Sequence, residues 1–183
     1  DCDLKKLHEL REVVWREELA MERKLSGDQH PRVANSLRSL AVMLRDSGRT
    51  SEAEAMLREA LKMLLGNNDP AAASSLQWLG ATLADQGNHA EAETAYREAL
   101  ELQRKLPGNE NADVAALVDE LTSVLWKAGK LADVEALLRD ELVLARTLQF
   151  NVPSPVNPRL GLILHHLADV LRPFFRLETS RSR

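Results

Sequence analysis

Apolar residues recur along the chain every three or four positions, in blocks separated by short polar stretches. Leu37, Leu40, Ala41 and Leu44 form one block, and Ala53, Met56, Leu57, Ala60 and Leu61 form the next. Such spacing places each set on one face of an α-helix. Gly48 lies between the two blocks, where a left-handed residue ends a helix. The second helix ends at Gly66, and Pro70 opens the next block at a position suited to a helix's first turn. The pattern of helix, glycine turn and helix recurs over 70–86 with 89–106, and over 112–128 with 131–149.

Three echoes fix the register of a repeat. Arg16-Glu-Glu-Leu19, Arg58-Glu-Ala-Leu61, Arg97-Glu-Ala-Leu100 and Arg139-Asp-Glu-Leu142 form one. Leu40-Ala41, Leu79-Gly80, Leu121-Thr122 and Leu167-Ala168 form the second, and the turns at Gly48, Gly87 and Gly129 the third. Self-similarity at this period marks an array of supersecondary units. The repeated arginines stand 42, 39 and 42 residues apart. The short interval follows Arg58, and the distances to the following glycines place the missing residues at the end of that second helix.

The array starts and ends in half-units. Residues 4–25 match a second helix alone, with Trp15 where Leu57 and Tyr96 sit, so Trp15 reads as core. Residues 158–172 match a first helix alone: Pro158, Leu164, Leu167 and Leu171 align with Pro31, Leu37, Leu40 and Leu44. Pro173 then breaks the helix, and the tail 173–183 leaves the repeat. The expected organisation is one array: half-repeat 4–25, repeats 31–66, 70–108 and 112–150, and half-repeat 158–172, giving about eight helices.

Composition narrows the class further. Hydrophobic residues make up 44% and aromatics only 4%. The Ala, Leu, Glu and Arg that dominate favour helix, and β-formers are too sparse for a sheet. The net charge of −4 provides no positive field for nucleic acid or an anionic membrane. No apolar run is long enough to span a bilayer. The start, Asp-Cys-Asp-Leu, lacks an initiator Met and a secretory apolar segment, and reads as a piece cut from a longer chain. The single Cys2 suits a reducing, cytoplasmic location.

Motifs for chemistry are missing from the sequence. The five histidines are His8, His30, His89, His165 and His166. His165 and His166 would point about 100° apart on a helix and do not make a metal pair. No phosphate-binding loop, nucleophile elbow or zinc-protease motif is present. The expectation is a non-enzyme with neither cofactor nor metal.

The words His30-Pro31-Arg-Val-Ala34, Ser36-Leu-Arg-Ser-Leu-Ala41 and Ala92-Glu-Thr-Ala-Tyr-Arg-Glu-Ala-Leu100 resemble the tetratricopeptide repeat family, in the 42-residue form found in kinesin light chains and many bacterial arrays. The resemblance covers nearly all of 4–172. It implies an all-α, right-handed superhelical α-solenoid of antiparallel helix hairpins. Small residues match the family's close-packing positions at Ala41, Gly80, Ala168, Ala53, Ala92, Ala60 and Ala99. Thr122, Val134, Glu141 and Arg11 depart from that pattern and should loosen their units.

The resemblance further implies a protein- or peptide-binding scaffold whose concave face is lined by the first helix of each repeat. Carried over by register, the partner-binding candidates are Asn35, Arg38, Arg45 and Asp46, then Gln77 and Asp85, then Asp119, Trp126 and Lys127, and finally His165. Val42, Ser74, Ala81, Ala116, Ser123, Asp169 and Arg172 share that face. The mixture of signs argues against a simple clamp for an acidic terminus, although the basic end near Arg38 and Arg45 suits an acidic segment. Each charge could equally be solvated and weakly paired, contributing about 0.2–1 kcal/mol. Trp126 reads either as an exposed anchor or as packed across the groove, whereas Trp78, one residue off register, reads as packed. Two alternatives are a structural module that self-associates into a homo-oligomer through uncapped ends, and the regulatory segment of a larger kinase or NTPase signalling protein.

Overall fold

The computed structural model describes residues 2–66, 69–106 and 112–151, with side chains over 10–66, 69–106 and 113–143. All seven described helices are α-helices: α1 (Cys2–Ser26), α2 (Pro31–Asp46), α3 (Thr50–Gly66), α4 (Ala71–Asp85), α5 (His89–Lys105), α6 (Ala112–Lys127) and α7 (Leu131–Asn151). No strand occurs among the described residues. The expected eighth helix, 158–172, lies outside them. The chain divides into two compact units, Asp1–Leu117 and Val118–Arg183.

In the first unit each helix packs on the next, α1 on α2, α2 on α3, α3 on α4 and α4 on α5, and α2 also touches α4. The helices begin where the chain supplies caps. His30 has extended backbone, and its Nδ1 accepts from the amide of Arg32 at 3.2 Å while Pro31 opens α2. Asp69 does the same for α4, its Oδ1 accepting from the Ala71 amide at 2.8 Å. These bonds satisfy amides that have no partner within the helix.

First helices end in one repeated device. Gly48 and Gly87 adopt φ of 79° and 82°, a left-handed conformation costly for residues bearing a Cβ. The Arg49 amide reaches back to Leu44 O at 2.9 Å, and the Gly48 amide to Arg45 O at 2.8 Å. Asn88 and Gly87 repeat this with Leu83 and Ala84. The pairs of bonds form Schellman caps, which end the helix and turn the chain back.

The core of the first unit is a continuous set of Leu and Ala from both helices of each hairpin. Leu37, Leu40, Ala41 and Leu44 of α2 and Ala53, Leu57, Ala60 and Leu64 of α3 are all buried. The tightest approach is at Gly80. A Cβ built there would lie 2.9 Å from Cε1 of Tyr96. Gly80 and Tyr96 occupy the register of Ala41 and Leu57, so the broader ring is matched by the smaller partner. Interiors are packed too closely to absorb both at full size.

The second unit holds most of α6, the Gly129 turn (φ 72°) and α7. Leu121, Val124, Leu125, Val134 and Leu138 are buried there. Two departures from the small-residue pattern are buried as well, Thr122 and the fully enclosed Glu141. The residues missing after Arg58 divide between helix and connection. α1 runs ten residues past Arg16 and α3 only eight past Arg58, with connections of equal length to the next helix; α5 also ends eight residues past Arg97, and there the connection to α6 is the longer one. A connecting segment tolerates a change of length more readily than a packed helix does.

Candidate partner-binding face

Neighbouring first helices α2 and α4 present polar residues on a shared side, and their contacts run from one helix to the other. Nη1 of Arg38 donates to Oγ of Ser74 at 2.5 Å, and Ser74 donates in turn to the carbonyl of Ala71 at 3.0 Å. Two turns along α2, Nε of Arg45 donates to Oδ2 of Asp85 at 2.6 Å. The Arg45 guanidinium also lies over the Trp78 ring, 5.7 Å from its centroid. A cation over an indole face contributes about 0.5–1 kcal/mol when exposed. Both arginines are therefore held in fixed positions while remaining accessible.

The expected candidates fall as follows. Arg38, Arg45 and Gln77 are half-buried, and Asn35, Asp46 and Asp85 are exposed. In the second unit Asp119 is half-buried, while Lys127 is exposed and Trp126 is 45% exposed. That exposure favours the reading of Trp126 as an accessible aromatic. His165, Asp169 and Arg172 lie outside the described residues. The structure brings Arg38, Arg45 and Asp85 into one cross-helix set; Asp119, Trp126 and Lys127 belong to the other unit.

Trp78 acquires a role that the repeat register did not assign, whereas Ser74, which register places on this face, anchors Arg38. Trp78 is half-buried, as its off-register position suggested, yet its face is the platform for Arg45. No sequence signal specifies that pairing, because it depends on the stagger between α2 and α4. His30 also has a definite role, as the cap of α2 described above.

A second polar pattern runs along the second helices. The arginines that define the repeat each pair with a glutamate one turn upstream: Arg16 with Glu12, Arg58 with Glu54, Arg97 with Glu93 and Arg139 with Glu135, at 2.6–3.0 Å. In the first unit the ladder crosses between helices, from Arg58 to Glu91 at 2.7 Å and from Arg16 to Glu52 at 3.7 Å. Arg49 joins it, reaching Glu12 at 2.7 Å and Glu52 at 2.6 Å. Arg16, then Arg49, hold the Glu12 carboxyl below the usual carboxylate range. Arg49 does the same for Glu52, and Arg58 followed by Gln86 for Glu54. Exposed pairs of this kind contribute little individually, and the ladder acts as a register mark more than as a source of stability.

Hairpins with Schellman turns, small residues at the helix crossings and a periodic second-helix arginine are the structural content of the repeat. The tetratricopeptide repeat family model matches residues 15–65 and 71–147. The chain belongs to the tetratricopeptide repeat family. No curated protein matches the sequence. Among solved structures, the chain is similar to a Podosopora anserina protein described as kinesin light chain nearly identical TPR-like repeats. The TM-score is 0.78 at 17% identity, over 98% of this chain and 84% of that one. It is also similar to BtubC (BKLC) from P. vanneervenii, with a TM-score of 0.75 at 20% identity, over 98% and 71% of the two chains. The apo form of RapI gives a TM-score of 0.52 at 14% identity, over 96% and 65%. At these identities the likeness concerns the fold: an all-α repeat of kinesin-light-chain-like type.

Repeats of this family generally serve as protein-interaction scaffolds and are generally non-catalytic. Among the described residues, no three His, Cys, Asp or Glu side chains are grouped to hold a metal ion. No described helix is long and apolar enough to cross a membrane.

Proposed function

We propose that the protein is a binding scaffold that holds a protein or peptide partner against the first-helix face. The observation that carries this reading is the cross-helix set on α2 and α4, in which Arg38 is fixed by Ser74 and Arg45 by Asp85 and Trp78. Side chains already ordered lose less freedom when a partner arrives, so more of the contact energy appears as affinity. Arginine and tryptophan are also the residue types that most often dominate interfaces. Gln77 and Asn35 add hydrogen-bonding capacity on the same helices, and Trp126 and Lys127 extend the candidate set in the second unit. The absence of motifs for chemistry from the sequence is consistent with a scaffold that is not an enzyme. A cytoplasmic location fits the single cysteine and the composition.

The test is to compare the chain with an Arg38→Ala, Gln77→Ala, Trp126→Ala triple variant in affinity capture followed by mass spectrometry. The expected result is a partner recovered by the unaltered chain and lost by the triple variant, with the helical signal and melting of both chains alike. Equal recovery by the two chains would remove the first-helix face from consideration.

A further inference from the structure

We draw no further inference here: the strongest candidate, the side-chain cluster of Arg38, Ser74, Arg45, Trp78 and Asp85 that spans α2 and α4, belongs to the partner-binding face already described.

Discussion

Helices α1 and α3 occupy the same place in the repeat and are held by different forces. α3 buries Ala53, Leu57, Ala60, Leu61, Met63 and Leu64 between two first helices. Among the described residues of α1, only Leu19 is buried and Trp15 is half-buried. Its other attachments are ionic: Glu12 to Arg49, Arg16 to Glu52, and Arg23 to Glu59 at 2.7 Å. A repeat position thus specifies a helix and its orientation, while the number of neighbours decides its stability. Arrays in which each unit contacts only its neighbours have this property, since every helix draws its free energy from adjacent faces.

The largest expected break in that comparison comes from deleting equivalent side chains. Leu57→Ala removes a fully buried side chain from the inner hairpin and should cost about 2–5 kcal/mol. Urea unfolding followed by circular dichroism would measure it. Trp15→Ala at the equivalent place on α1 should leave the midpoint of the main transition almost unchanged, although it deletes a larger side chain. Similar losses from both would mean that α1 is as deeply integrated as α3.

Next in size is the close approach at Gly80. Gly80→Ala places a methyl group 2.9 Å from the Tyr96 ring, and α4 and α5 must separate to admit it. Overpacking of this kind costs about 1–3 kcal/mol. The pair Ala41 and Leu57 shows the remedy, so Gly80→Ala with Tyr96→Leu should recover part of the loss. Thermal melting of the single and double variants gives the comparison, and no recovery would mean that the strain lies elsewhere.

Features carried by local pattern were legible in the sequence, and those set by packing were not. The hairpins followed from the glycine turns at Gly48, Gly87 and Gly129 and from apolar periodicity, because each is a property of a few adjacent residues. Register puts Arg38 and Arg45 on the side of α2 that meets α4, and leaves Trp126 open between exposed and packed, which its 45% exposure decides. The Arg45–Trp78 contact does not follow from register, because it requires the offset between α2 and α4, which arises from side chains packed beneath both. Analogy with Leu57 and Tyr96 makes Trp15 a core residue, yet it is only half-buried. Register identifies the face of the helix, and burial additionally requires a helix lying on it. The shortening after Arg58 was legible in part: α3 ends earlier in register than α1, as the glycine spacing implies, but no earlier than α5, where the connection carries the difference.

A smaller effect should separate α1 from the inner helices without altering the core. Arg49→Ala removes the residue that bridges Glu12 and Glu52. Amide hydrogen exchange in α1 should then rise while the exchange of α3 and α5 is unchanged. Local openings of this kind span free energies from near zero to that of global unfolding. Uniform acceleration across the unit would show that Arg49 supports the hairpin of α2 and α3 more than it supports α1.

The smallest effect is that of pH, and its direction follows from the carboxylates. Glu12 faces Arg16, Arg49 and, across the cluster, Glu52; both carboxyls are held below their ordinary value by the arginines. A carboxylate with a depressed folded pKa binds protons less readily when folded. Its stabilisation is therefore complete above the ordinary carboxylate value of about 4.3 and is lost as pH falls through the lower folded values. From pH 7 to about 5 the attachment of α1 should be constant. Below about pH 4 it should loosen first, because α3 and α5 retain their buried Leu and Ala contacts when their own ion pairs are protonated. A chain carrying Trp78→Phe and Trp126→Phe leaves Trp15 as the sole indole, and its emission should shift to the red on acidification before the helical signal falls. Added salt at neutral pH should produce a weaker shift in the same direction, since the pairs are partly exposed and are screened beyond about 10 Å at 0.1 M. Coincident loss of the two signals on acidification would show that apolar contacts, and not Glu12 and Glu52, decide when α1 leaves.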